Sequence, residues 1–345
     1  MHTHLRTAVR IELPHHRAVI LAFAADLLNE KESNGTLLVI TVSILGFLCN
    51  VVSFLVIVRH HAFNNSFGYI TAYHAFSNAS ILFIFAVWAT PWTLFSVPDS
   101  VHGVNAFFGQ MTLFFVEVSF HCSLLLSLNR FTAIAFPLKY RIWFADRTTL
   151  WMLSFITLIA GLYWGTYFIE SCEFIFDHSS RVWTFGPQTC SVFMAFYVDM
   201  IYNVCIFVIV VIIDLMSLTK LRKTKKKFLG QRGNGLAAAR ESKREKRREM
   251  LLFLQAFSTS GCYSFMLVCF HVLSTQMTSN FAYFLCTTLA WELSHTLGGV
   301  ILICFNPEIR RHLVGVGHFI RFLRDGSTNT AAVCPVSTVF SSSHK

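Results

Sequence analysis

The chain has 345 residues, of which 54% are apolar and only 13% charged, against roughly 25% charged in an ordinary soluble protein. Phe alone occurs 36 times and mean hydropathy is +0.55; that much apolar surface cannot be hidden inside one water-soluble domain, which excludes a soluble enzyme. The formal net charge of +10 would suit a nucleic-acid binder, but 13 of the 28 Lys and Arg lie between Lys220 and Arg248, as in a membrane protein whose basic residues sit on one side.

Residues 1–35 are expected to form an extracellular tail. Its apolar patch Ala18–Leu28 has only 11 residues and contains Asp26, too short to span and too far from the start for a signal peptide, so it is expected to be loosely structured. A helix needs about 20 mostly apolar residues to cross ~30 Å of hydrocarbon. Seven segments qualify, approximately Thr36–Val58, Phe67–Thr93, Ala106–Leu128, Thr148–Ile169, Ser191–Ile213, Met250–Ser274 and Phe281–Cys304, giving an all-α seven-transmembrane bundle over residues 36–304. The ~10-residue alternation of a membrane barrel is absent. Between helices 5 and 6, Lys220–Glu249 is basic with Gly230, Gly233 and Gly235 in its middle. It reads as a long cytoplasmic loop extending both helices and anchored on anionic lipid. Asn306-Pro307-Glu308 supplies an N-cap, a first-turn proline and an acid, and opens an amphipathic helix 8 over residues 305–324, lying on the inner leaflet. Residues 325–345, Ser/Thr-rich from Gly326, are expected to be disordered.

With the N-terminus outside, the extracellular loops hold one basic residue, Arg181, and the cytoplasmic side 23; the other four lie in the N-terminal tail. The opposite orientation would put nearly all the charge on the wrong side. The sequon Asn34-Gly35-Thr36 then stands outside, just before the first span, and is the expected glycosylation site.

The strongest motif is Asn129-Arg130-Phe131-Thr132-Ala133-Ile134-Ala135-Phe136-Pro137-Leu138-Lys139-Tyr140, at the cytoplasmic end of helix 3. It resembles the rhodopsin-like G-protein-coupled receptors, whose helix 3 ends in Asp-Arg-Tyr followed by an Ala-Ile pair and a Pro-Leu-x-Tyr turn. The resemblance implies that Arg130 is an intramembrane switch, held by acidic neighbours at rest and freed to engage a heterotrimeric G protein, with Asn129, Phe131, Pro137 and Leu138 around it. The plainer alternative is a snorkelling arginine. Because Asn129 replaces the family's Asp, Glu245 or Glu249 at the base of helix 6 is expected to restrain Arg130. Helix 7 carries Gly298, Gly299 and Leu302 where the family has Asn-Pro-x-x-Tyr, and the glycines could supply flexibility there. Helix 2 has no Asp; Asn78 is its polar candidate, so a sodium site is doubtful. Asn34 before helix 1, Gly46 and Asn50 within it, Ser66-Phe67-Gly68, Asn-Arg-Phe and Asn-Pro-Glu-Ile-Arg together resemble the nematode serpentine receptor class X chemoreceptors over roughly residues 35–324. That branch implies the plasma membrane of sensory cilia, and an extracellular ligand, a G protein and arrestin as partners.

Of the ten Cys, only Cys172 and Cys190 lie in an oxidising compartment. The resemblance would tie the top of helix 3 to the second extracellular loop, but that position, near Asn105, holds no Cys. Cys172 and Cys190 are therefore expected to bridge within the loop, two unpaired thiols being the alternative.

Acids inside the bilayer are rare: Glu117 in helix 3, Asp199 in helix 5 and Glu292 in helix 7. Glu117 and Glu292 both lie about 20 Å outward from the cytoplasmic face at 1.5 Å per residue. His295 follows Glu292 by three, and Tyr263 on helix 6 should be near. A small-ligand pocket bounded by Glu117, Tyr263, Glu292 and His295 is expected, with Asp199 nearer the outer mouth; the alternative is that Glu117 or Glu292 is a structural link between helices. Where the resemblance would place the retinal lysine of opsins stands Glu292, and where it would place the aspartate of aminergic receptors stands Thr112.

Asp199 and Asp214, on one helix about 22 Å apart, cannot form an aspartyl dyad. No nucleophile motif or metal-ligand spacing occurs, so no catalytic residue, metal or cofactor is expected. A transporter, the competing membrane function, would show repeated halves and broken paired helices, and neither is visible.

Overall fold

The computed structural model describes residues 13–95, 98–229 and 236–313, with side chains from residue 35 onward except at 94, 99, 224–249 and 252. Among these residues seven helices are long and apolar enough to cross a membrane: α1 (Gly35–Arg59), α2 (Ser66–Thr93), α3 (His102–Ala135), α4 (Asp146–Phe168), α5 (Thr189–Lys223), α6 (Phe253–Gln276) and α7 (Asn280–Phe305). Large apolar side chains such as Leu48, Phe155, Leu162 and Phe265 point outward, as a hydrocarbon surrounding requires, while much of the polar inventory is turned in. α3 is the axis of the bundle, and 72% of its most apolar window is buried.

Small residues set the closest approaches. Gly46 on α1 lies against Thr296 and Leu82, and a Cβ on Gly299 of α7 would stand 2.7 Å from Asn50 Nδ2. Helix 7 continues unbroken through Gly298 and Gly299, so these glycines serve close packing rather than a hinge.

One boundary differs from that read in the sequence. The backbone of α1 is helical from Leu13, so the stretch expected as a loose tail runs into the first span without interruption. No Gly or Pro falls between Pro14 and Gly35 to stop it. Helix α5 continues to Leu229, and the helix containing α6 begins at Leu236, so both helices extend into the basic segment in the way its reading expects.

Four of the spans turn π-helical near their extracellular ends: Phe85–Ala89 in α2, Met194–Tyr202 in α5, Cys269–Leu273 in α6 and Leu285–Leu289 in α7. Such segments rotate side chains out of the regular 100° progression and recur at functional sites. Between α4 and α5 the second extracellular loop forms a hairpin of β1 (Phe174–Asp177) and β2 (Val182–Phe185), antiparallel with Phe174 opposite Phe185 and Asp177 opposite Val182. Strand alternation turns Phe174 and Phe176 to one face, and with Trp183 they are fully buried in the mouth of the bundle. Trp183 meets Phe85 with ring centroids 6.1 Å apart, and Phe174 meets Trp291 at 5.8 Å.

Candidate functional site

At the cytoplasmic end, Arg130 donates to Asp214 Oδ1 on α5 at 3.1 Å and to Ser127 Oγ, one turn back on its own helix, at 3.0 Å. Both partners of the ion pair are largely buried, and among the described residues Asp214 Oδ2 has no hydrogen-bond partner. Arg130 is thus held from α5; Glu245 and Glu249, the expected restraints, lie outside the residues whose side chains are described. The sequence reading places Asp214 on helix 5 and weighs it only as a partner of Asp199; its pairing with Arg130 depends on how α3 and α5 pack. Asn129 donates to Ser66 Oγ on α2 at 2.8 Å, and Ser66 shares a 2.9 Å hydrogen bond with Tyr140 of the short helix Pro137–Trp143. Phe131 packs edge-on against Phe136, Pro137 starts the short helix, and Leu138 is 83% exposed on it. A cavity of about 740 Å3 lies at this end, lined among others by Arg130, Asp214, Tyr140, Phe253 and Asn306. Asn306 Oδ1 accepts from the N–H groups of Glu308 and Ile309, as the N-cap reading requires, and the helical turns at 307–313 follow; the rest of the expected helix 8 lies outside the described residues.

Above Arg130 the centre of the bundle is polar. Asn78 Oδ1 accepts from Ser119 at 2.8 Å and from Tyr263 at 3.1 Å, and stands 2.9 Å from His295 Nδ1. The Tyr263 hydroxyl is 3.2 Å from His74 Nε2, and Trp291 Nε1 donates to His295 Nε2 at 3.1 Å. A second cavity of about 20 Å3, lined by His74, Ser123, Ser127, Gln255, Ser260 and Arg130 among others, separates this network from the ion pair. Helices 2, 3, 6 and 7 are therefore joined by polar groups from the level of Trp291 down to His74, with the cavity between them and Arg130.

The expected four-residue pocket does not assemble. Tyr263 and His295 meet, with ring centroids 5.2 Å apart, but Glu117 and Glu292 turn away from them and from each other. Glu117 faces α5, where it accepts from Asn203 Nδ2 at 3.0 Å and lies 3.5 Å from His121 Nδ1. Glu292 is fully buried beside Ser43 of α1. Depth arithmetic says nothing of direction. Ser119, two residues and about 200° from Glu117, is the α3 residue aimed at Tyr263. Glu292 and His295 are about 60° apart around α7, enough to send them to different neighbours.

Asp199 does reach the outer interior. It rides on the π-helical part of α5, and its Oδ2 pairs with His271 Nε2 of α6 at 2.8 Å. It also borders a cavity of about 10 Å3 walled by Phe120, Phe174, Phe270 and Trp291 among others. His271, His121, Asn203 and Asp214 were missed by sequence reasoning, since each is defined by a partner on another helix. Thr112 is fully buried and donates to its own helix at Phe108 O.

Cys172 and Cys190 form a disulfide within the loop, with Cα atoms 4.9 Å apart. The tie between helix 3 and this loop is made instead by Asn105. Its Nδ2 donates to Phe176 O at 3.0 Å, and its Oδ1 accepts from Phe176 N at 3.2 Å and from Trp88 Nε1 at 2.9 Å. At the hairpin turn, burial raises the proton affinity of Asp177, but donors on Ser179 and Ser180 outweigh it and hold this carboxyl below its usual range. Asn34 lies outside the residues whose side chains are described. Among the described residues no group of three or more His, Cys, Asp and Glu is arranged to hold a metal ion.

The architecture matches that of squid rhodopsin: its crystal structure superposes with a TM-score of 0.69 over 88% of this chain and 92% of that one, at 12% identity, a likeness of fold. Two proteins of Caenorhabditis elegans are similar in sequence. Serpentine receptor class X 45 is 25% identical over 293 residues, covering 80% of this chain and 79% of the relative. Serpentine receptor class X-43 is 26% identical over 225 residues, 62% of this chain and 65% of the relative. The family described as "Serpentine type 7TM GPCR chemoreceptor Srx" matches residues 40–306, and the polar core, the Arg130 end and the disulfide-closed loop all fall within that span. The chain belongs to this family of seven-transmembrane G-protein-coupled receptors.

Proposed function

We propose that this multi-pass membrane receptor is a chemosensory receptor of the plasma membrane, that a small extracellular ligand enters the outer half of its bundle, and that the response is nucleotide exchange in a heterotrimeric G protein. The observation that carries this reading is the Arg130–Asp214 ion pair at the cytoplasmic cavity. A buried pair of this kind has two discrete arrangements, made and broken, which is what a switch needs. The polar network from Trp291 and His295 through Asn78 and Tyr263 to His74 supports coupling between the two ends, because a shift of α6 must repartner its hydrogen bonds. A ligand that widens the outer cavity would act on α5 and α6 through Asp199 and His271. Phe131, Pro137 and the exposed Leu138 form the surface offered to the G protein, and to arrestin after it, with Asn129 buried behind them against Ser66. Sensory cilia are the site of action implied by the family, Asn34 the glycan acceptor, and membrane lipid the partner of the basic loop and of helix 8.

The test is ligand-independent nucleotide exchange with surface expression measured alongside. Asp214→Asn is expected to raise basal exchange several-fold, since loss of about 1.4 kcal/mol of restraint shifts a two-state equilibrium tenfold. Arg130→Ala should abolish exchange at unchanged surface level. Equal basal activity in wild type, Asp214→Asn and Arg130→Ala would defeat the proposal.

A further inference from the structure

The outer cavity has an uneven lining: four aromatic rings, further apolar side chains and one carboxylate, Asp199. At about 10 Å3 it holds roughly one water, so any ligand must open it, and its walls are suited to opening. Phe174 comes from the loop hairpin, while Asp199 and Phe270 ride on π-helical segments of α5 and α6, with Trp291 just beyond that of α7. The side chain that now occupies Asp199 is His271, whose Nε2 lies 2.8 Å from Oδ2. A second carboxyl, Glu117, lies close enough to Asp199 to interact with it electrostatically, and Asn203 links the two by donating to Glu117 Oε1 and to the Asp199 carbonyl. No Lys or Arg occurs in residues 60–129, 182–219 or 249–309, so Arg130 apart, none is contributed to this interior by α2, α3, α6, α7 or the outer part of α5.

A carboxylate without a resident lysine or arginine, set among aromatic faces, is the surrounding in which a positive nitrogen is stabilised by both ion pairing and ring quadrupoles. We infer that the outer cavity takes an organic ammonium ion, a primary amine on a short apolar tail, whose nitrogen displaces His271 from Asp199 while the tail spreads among Phe120, Phe270 and Trp291. This rests on the receptor reading above and gives its ligand a chemical class. Displacement breaks the α5–α6 tie, so the bound amine itself supplies the change at helix 6. The plainer role for Asp199 and His271, a fixed clamp between two helices, makes the opposite forecast for one substitution.

The experiment uses the purified full-length receptor and follows its thermal unfolding with n-hexylammonium and, separately, 1-hexanol at neutral pH. Hexylammonium is expected to raise the melting temperature saturably, and hexanol to need at least tenfold higher concentration. Asp199→Asn should weaken the amine at least tenfold. His271→Phe, which keeps a ring but withdraws its N–H, should tighten it several-fold by freeing Asp199. A clamp would instead lose stability in both variants with no gain in amine affinity. If Asp199→Asn fails to fold, His271→Phe alone decides. Equal potency of alcohol and amine, full amine binding by Asp199→Asn, or weaker binding by His271→Phe would overturn the inference. Amine-induced stabilisation with these variant effects but without nucleotide exchange would support it while counting against the receptor mechanism. Exchange evoked by other compounds with no amine binding would do the reverse.

Discussion

Asp214 illustrates how one residue's meaning depends on a neighbouring helix. Along helix 5 it is only an acid about 22 Å from Asp199; packed against α3, it is the buried partner of Arg130 at 3.1 Å. The small residues are equally specific. Gly299→Ala would drive a Cβ against Asn50, whose amide also donates to Gly46 O and His295 O. A loss of about 1–3 kcal/mol is expected from such overpacking, read as a lower melting temperature of the purified receptor. Outside the membrane, Asp177 makes a pH prediction. Its folded proton affinity is depressed by the Ser179 and Ser180 donors, so its contribution to the turn is complete above the usual carboxylate range and is lost as pH falls below it. Amide exchange at Ser179 and Ser180 should therefore accelerate below about pH 4 in the wild type and show no such step in Asp177→Asn.

At the level of elements, the loop hairpin deserves to be treated as part of the bundle. Its aromatic face fills the extracellular mouth, Asn105 pins it to α3, and the Cys172–Cys190 bridge closes the loop around it. Replacing both cysteines by alanine should cost about 3 kcal/mol through the loop-closure entropy of an 18-residue separation. Unfolding of the outer end, followed by exchange of the hairpin amides, should respond more than the cytoplasmic end. The hairpin was invisible in the sequence for a simple reason: a four-residue strand has too few positions for its alternation to stand out, and this one is stabilised by the bundle it plugs. The seven spans were legible because each needs about 20 apolar residues, a signal no short element can imitate. The outermost π-helical turns were not, since they arise from packing between helices rather than from any local preference.

For the whole molecule the decisive prediction concerns sidedness. With 23 basic residues on one side of the bundle and Arg181 alone in the loops of the other, Asn34 must face the compartment where glycans are added. Asn34→Gln should remove a glycosidase-sensitive mobility shift from the receptor, and an N-terminal epitope tag should be reached by antibody without permeabilising the cell. Absence of the shift together with an inaccessible tag would reverse the orientation, and with it the assignment of ligand and transducer to opposite ends.

Amino-acid order alone was sufficient for the number of crossings, the Arg130 motif and the loop disulfide, and it sets the expectation for sidedness and for the depth of each buried acid. All of these depend on quantities that add up along one chain: hydropathy, charge, and 1.5 Å per residue. Only the packed bundle decided which way those acids turn, that Arg130 is answered by Asp214, and that Asp199 shares the outer cavity with His271 and a ring of aromatics. Direction around a helix axis changes by 100° with each residue, so a local π-turn or a neighbour's glycine moves a side chain from one partner to another while leaving its depth untouched.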